Sequence, residues 1–185
     1  WRNYRILRLG TDFASAAGAS IVRGELAYTR TLDRIAPSAA TLPGQKRDYV
    51  KAVAGGEWDV TANLSVNVQL VGQFLLGSAQ TPPLRPLAPL ILATQALVNQ
   101  QPVPRLAGVA WRIEQRAADD ALRVEFAGLA YGSGQGSTVR LRLTHGFDDA
   151  FEVSAGANLY FGPGDGILGA LKPNDTWFVQ AQYTM

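Results

Sequence analysis

The chain has 185 residues, of which 47% are hydrophobic and only 17% charged, against roughly a quarter charged in ordinary soluble domains; apolar area must be hidden somewhere. A net charge of +2 gives nucleic acid little electrostatic hold, and the absence of cysteine removes disulfides, thiolate metal sites and thiol nucleophiles together. No run of about 18 apolar residues is present to make a transmembrane helix.

Alternation of apolar and polar residues with period two runs through nearly the whole sequence and predicts about nine strands. The first is expected near 4–15, followed by a short turn at "SAAGA". The second, 18–30, sets Val22, Leu26 and Tyr28 against Arg23 and Glu25, and a longer link covers 31–46. The third, 47–61, carries Lys51, Glu57 and Trp58 and turns at "TAN" into the fourth, 63–76. There Leu64, Val66, Val68 and Leu70 oppose Asn67, Gln69 and Gln73. The long link 77–103 contains the one stretch with a helical period, 84–101, where Leu90, Ile91, Thr94, Leu97 and Val98 share a face.

The fifth strand, 104–117, opposes Val109, Trp111 and Ile113 to Arg112 and Glu114, and turns at "AADD". The sixth, 120–132, opposes Leu122, Val124 and Phe126 to Arg123 and Glu125, before a glycine-rich link, "GSGQGS". The seventh, 137–147, opposes Val139, Leu141 and Leu143 to Arg140 and Arg142, and turns at "FDD". The eighth, 150–162, places Phe151, Val153, Leu159 and Phe161 against Glu152, Ser154 and Asn158. A link over 163–173 leads to the ninth, 174–185, where Trp177, Val179, Ala181, Tyr183 and Met185 share a face.

Several of these strands reach about 11–14 residues, against a usual 5–6 in globular proteins and about 9–11 for a tilted strand crossing a bilayer. Short turns alternate with longer links, as in outer-membrane barrels, where periplasmic turns are short and external loops long. The apolar face also holds Gly24, Gly56, Ala155 and Ala157, small groups that lipid covers without shape complementarity. The expected fold is therefore all-β, an antiparallel transmembrane β-barrel of outer-membrane type, with residues 1–185 forming one barrel domain or a fragment of one. A soluble sandwich or lipocalin-like barrel is the alternative, and it requires the opposite burial. In the barrel reading Arg23, Glu25, Lys51, Glu57, Gln69, Arg112, Glu114, Arg123, Glu125, Arg140, Arg142 and Glu152 line the pore. Basic and acidic groups are similar in number there, so neither sign dominates. They either neutralise one another in a filled lumen or line water and impose a transverse field on solutes.

Trp58, Trp111, Trp177, Tyr28 and Phe161 are expected towards strand ends, as an aromatic girdle at the membrane interfaces. The terminal segment "NDTWFVQAQYTM" has the alternation by which barrel-assembly machinery recognises a last strand, although it ends in Met185 rather than an aromatic residue. Together with "AGVAWRIEQRAADDALRVEFAGLAYG" and "STVRLRLTHGFDDAFEVSAGANLYFG", and preceded by "VRGELAYT" and "NLSVNVQLVGQF", it resembles a porin-like family of proteobacterial outer-membrane proteins of largely unassigned function. Members of that family are longer and carry a signal peptide, so the resemblance implies that this chain is the C-terminal sector of a larger barrel. A start at Trp1 with no leader fits a processed or trimmed product. About nine strands with a periplasmic C-terminus would begin the first strand outside the cell, whereas bacterial barrels have an even number. One strand is then miscounted, or N-terminal strands are missing. The expected partners are outer-membrane lipid, the assembly machinery and a further copy or chain supplying strands, with no nucleic acid.

Little chemistry is expected. His145 is the single histidine and would need Ser154 and Glu152 for hydrolysis, but it falls on the apolar parity. One histidine without cysteine makes no metal site, and "GPGDG" at 162–166 has no helix or row of acids after it. No cofactor and no catalytic residue are assigned. The functional expectation is a porin-like channel for small solutes, with a non-conducting scaffold or partner-binding barrel as the alternative. The segment 84–101 would narrow the mouth or shield the rim.

Overall fold

The structure, a computed structural model, describes residues 5–32, 47–77, 103–148 and 150–184. They form one antiparallel sheet whose strands lie in chain order: β1 (Ile6–Ala17), β2 (Ser20–Thr31), β3 (Tyr49–Thr61), β4 (Leu64–Leu75), β5 (Arg105–Ala117), β6 (Leu122–Tyr131), β7 (Gly136–Gly146), β8 (Phe151–Phe161) and β9 (Thr176–Tyr183). All nine expected strands are present, each boundary within two residues of its expected place. The sheet is open, with β1 and β9 as its two edges. The helix expected at 84–101, inside the link 77–103, lies outside the described residues.

The turns follow from local chemistry. Gly18, at φ +63°, closes the connection of β1 to β2. After β7, the Asp148 carboxylate accepts hydrogen bonds from the backbone N–H of Ala150 (2.8 Å) and Phe151 (2.7 Å), an aspartate-closed turn. The glycine-rich link after β6 is a four-residue turn, Gly132 to Gln135, shorter than its composition suggested, because Ser133 and Gly134 both take positive φ. The turn from β5 to β6 is more costly. Ala118, Asp119 and Asp120 stand at φ +53°, +52° and +68°, a region costing roughly 1–2 kcal/mol for a residue with a Cβ and mildest for aspartate. Ala118→Gly should therefore raise the unfolding free energy by about 1 kcal/mol, read from urea midpoints. A lowered midpoint would show that the strain assignment is wrong.

The link from β8 to β9 contains an element not expected from sequence, a short 3-10 helix over Gly169–Asn174. It lacks an apolar period, and Pro173 lies within it, so pattern reading sees only a loop. Two contacts hold it. The Leu168 N–H donates to the Gln135 carbonyl at 2.8 Å, and the Tyr160 N–H donates to the Asp175 carboxylate at 2.7 Å. Leu168 is one of only three buried hydrophobic side chains among the described residues, with Ala27 and Ala157.

The chain divides into two compact units. One comprises residues 1–12, 25–52 and 72–106. In it the Thr31 N–H donates to the Asp48 carboxylate at 2.8 Å, while the Asp48 carbonyl accepts from the Leu76 N–H at 2.8 Å. Thr29 and Thr31 are the largest fully buried side chains among the described residues. The second unit, residues 13–24, 53–71 and 107–185, contains nearly all of β5–β9 and the candidate site.

Candidate functional site

The register of β5–β9 sorts side chains onto two faces because strand neighbours point the same way. On one face Ile113, Phe126, Leu141, Ala157 and Trp177 align across five strands. Beside that row lie Val124, Leu143, Ala155 and Val179. This face is apolar and uncovered: Leu141 is 49% exposed, Val179 78% and Trp177 81%. On the opposite face Arg112, Ala127, Arg140, Asn158 and Thr176 form one row, flanked by Glu114, Glu125, Arg142, Gly156 and Phe178. Its most deeply buried members are polar: Glu114, Thr144 and Ser154. Burial is inverted relative to a soluble domain, where apolar groups fill the interior and carboxylates stay wet. No second layer covers the apolar face among the described residues.

Trp111 departs from its expected place near a strand end. It sits at the centre of β5, opposite Gly128, and its ring occupies the space a Cβ at 128 would need. A glycine at that register lets the indole lie flat on the neighbouring strand.

The charged face is organised around a repulsive pairing. Glu114 and Glu125 are directly opposite each other in the register, an arrangement that destabilises a sheet. Arg112 resolves it, its Nη2 lying 2.8 Å from an oxygen of each carboxylate. Arg116 Nε donates to Glu114 at 3.1 Å, and Arg140 Nε stands 3.8 Å from Glu125. Arg142 Nη2 donates to the Ser154 hydroxyl at 3.1 Å, while its buried Nε has no hydrogen-bond partner. Arg140 also lies over the Phe178 ring, 5.8 Å from its centroid.

Six of the twelve expected pore-lining residues thus fall on one contiguous patch: Arg112, Glu114, Arg123, Glu125, Arg140 and Arg142. Arg116 belongs with them and was missed, although its parity with Arg112 and Glu114 places it on the same face. Gln69 on β4 donates to Asn67 at 3.1 Å. Glu152 is on the same face as the patch, opposite Gly146 and Gln182 near the ends of β7 and β9. Arg23 pairs with Glu57 at 3.7 Å with both side chains largely exposed. Lys51 and Glu25 belong to the other unit, where the Lys51 ammonium lies 5.6 Å from the centroid of the Tyr49 ring and Glu25 is exposed. Charge on the patch is uneven. β5–β7 present five arginines against two glutamates, a local surplus of positive charge within an expected set that is near balance as a whole. The remaining acids expected on this face are on β2, β3 and β8.

His145 lies on the apolar face opposite Val153, edge-on to Phe147 with ring centroids 4.6 Å apart. Ser154 and Glu152 both point the other way, so these three groups do not assemble into a nucleophilic site. Among the described residues no three His, Cys, Asp or Glu side chains are grouped to hold a metal ion. No protein-family model matches the chain, and neither a curated protein nor a solved structure is significantly similar to it.

Arg112 should dominate the energetics of the patch. Arg112→Ala leaves two opposed, partly buried carboxylates with weaker neutralisation, and should cost about 1–2 kcal/mol. Arg23→Ala, which removes an exposed 3.7 Å pair, should cost no more than about 0.5 kcal/mol. Equal losses in denaturant titrations would show that the opposed glutamates are not the source of the effect.

Proposed function

We propose that this chain forms part of the wall of an outer-membrane β-barrel, with the Leu141 face towards lipid and the Arg112 face towards a water-filled lumen, and that the barrel is a porin-like channel for small solutes. The observation that carries the reading is the inverted burial. Large apolar groups stand exposed on one continuous face, while the best-buried groups on the other are polar. Lipid removes the first from water and lumen water solvates the second. Strands of 8–13 residues suit a tilted crossing, for which about 9–11 are needed. In this reading the edges β1 and β9 are completed by further strands, from the same polypeptide or from another copy, since an unpaired edge is untenable in hydrocarbon. The sequence resemblance to porin-like proteobacterial proteins points the same way, and the proposal includes docking of β9 by the assembly machinery and residence in the outer membrane.

The chain has no cysteine, which makes the orientation directly testable. Single cysteines at Arg140, Leu141, Arg142 and Leu143 in bilayer-reconstituted protein should alternate in reactivity. A charged, membrane-impermeant thiol reagent should label 140 and 142, and a lipid-soluble maleimide 141 and 143. Equal labelling of 141 and 140 by the charged reagent would rule out the lipid assignment. Planar-bilayer recording then separates a channel from a scaffold, because the ion-paired lattice around Arg112 also fits a filled, non-conducting interior. Discrete conductance steps support the channel, and their absence in correctly inserted protein supports the scaffold.

A further inference from the structure

The surplus of arginine on β5–β7 is not wholly spent on structure. Three of the five arginines (Arg112, Arg116 and Arg140) are engaged with the two glutamates, and Arg142 is bonded to Ser154. Among the described residues Arg123 makes neither ion pair nor hydrogen bond. It is also directly opposite Arg116 in the register, a like-charge juxtaposition that opposes folding unless something negative is placed between or beside the two guanidinium groups. Among the described residues nothing does this for Arg123. Its other lateral neighbour is Thr144, which carries no charge.

Both arginines open onto one depression of about 700 Å³. Its lining includes Arg112, Ser65, Asn67 and Gln69, so amide and hydroxyl groups of β4 stand across from the basic cluster of β5 and β6. The lining carboxylates are both paired, Glu57 with Arg23 and Glu114 with Arg112 and Arg116. A guanidinium offers a rigid planar fork of N–H donors whose geometry matches the oxygens of a carboxylate or phosphate. Two opposed forks beside the neutral polar groups of β4 suit a small oxyanion better than chloride, which has no pair of oxygens to bridge.

We propose that Arg116 and Arg123, with Arg112 behind them, form a weak, selective subsite for small oxyanions, carboxylate or phosphate, on the polar face of the sheet. The inference rests on reading that face as the lumen. There the subsite would give the channel an anion preference, since a path through a pore needs sites strong enough to admit a solute and weak enough to release it.

The experiment measures binding and permeation separately on the full chain folded in detergent micelles. Calorimetric titration with inorganic phosphate, and in parallel with succinate, should show saturable binding that weakens as KCl is raised. Arg123→Gln should weaken it by about tenfold, the scale of losing a charge-assisted bidentate contact. Arg123→Lys should fall between, keeping charge but losing the fork. Lys172→Gln, on the 3-10 helix, is the control and should match wild type. Which of the two probes binds more tightly distinguishes a carboxylate-type from a phosphate-type solute. Absence of saturable binding of either, or binding unaffected in both Arg123 variants, overturns the subsite. In planar bilayers under a KCl gradient, the reversal potential should favour chloride over potassium, less so in Arg123→Gln. Cation preference in the wild type also overturns the inference while leaving the channel intact. Binding without any conductance leaves the subsite standing and instead removes the channel.

Discussion

Leu141→Arg should lower the stability of the bilayer-inserted protein by about 2–4 kcal/mol, the cost of an arginine on the lipid face near a membrane midplane. Leu141 is the central residue of β7, within an apolar row from Ile113 to Trp177, and it is 49% exposed. If that exposed face were in water, a long polar side chain would be nearly free, with a change within about 0.5 kcal/mol. The two solvents thus differ several-fold in what they predict for one substitution. Position along the strand sharpens the test. Ser137, Val139, Leu141, Leu143 and His145 share the face in order from one strand end to the other. Arginine at 137 or 145 should cost about 0–1 kcal/mol, because a long side chain near the interface reaches headgroups and water. A cost that peaks at 141 and falls towards both ends is the signature of lipid. A flat profile, measured by urea titration in phospholipid vesicles, would mean that this face is not in a membrane.

The strand order was legible because period two is a strong signal over strands this long, and because each turn has its own local chemistry. The parity of Arg140 and Arg142 against Leu141 and Leu143 already assigned every side chain of β7 to a face. Parity alone does not say who stands opposite whom. That Glu114 faces Glu125, and that Arg116 faces Arg123, depends on the register between β5 and β6, which turn length sets and which shifts every pair when it changes by one residue. The bridging role of Arg112 and the unpaired state of Arg123 were therefore invisible in the sequence, whereas the surplus of positive charge on these strands follows from composition and parity alone. Residue type points Trp111 to an interface, whereas the structure holds it at the centre of β5 over the glycine opposite it. The 3-10 helix at Gly169–Asn174 is held by single hydrogen bonds to distant backbone and carries no periodic pattern to read.

Gly156→Val is expected to cost about 2–3 kcal/mol, the upper part of the range for forcing extra atoms into a packed site. Gly156 is on the charged face of β8, between Arg142 on β7 and Phe178 on β9. A Cβ there would collide with the Leu141 carbonyl oxygen and with the Phe178 ring, which lies across the glycine. The ring can turn aside. The carbonyl cannot move without disturbing the ladder of β7 and β8. This separates two contributions that a single substitution confounds. Gly156→Ala combined with Phe178→Ala should recover the part owed to the ring and leave the part owed to the backbone. A double-mutant cycle should then show coupling of about 0.5–2 kcal/mol, with the double variant still less stable than Phe178→Ala alone. Moving the ring also frees Arg140, which lies over it, so an altered reversal potential in Phe178→Ala would tie this packing joint to the charged face. Gly164→Ala is the matched control, since a Cβ at that position meets nothing within 4 Å, and it should change stability by less than about 0.5 kcal/mol. If Gly156→Ala alone proved as stable as wild type, the close approach of β8 to its neighbours at this point would be refuted, and with it the register that brings Arg142 and Phe178 to either side of residue 156.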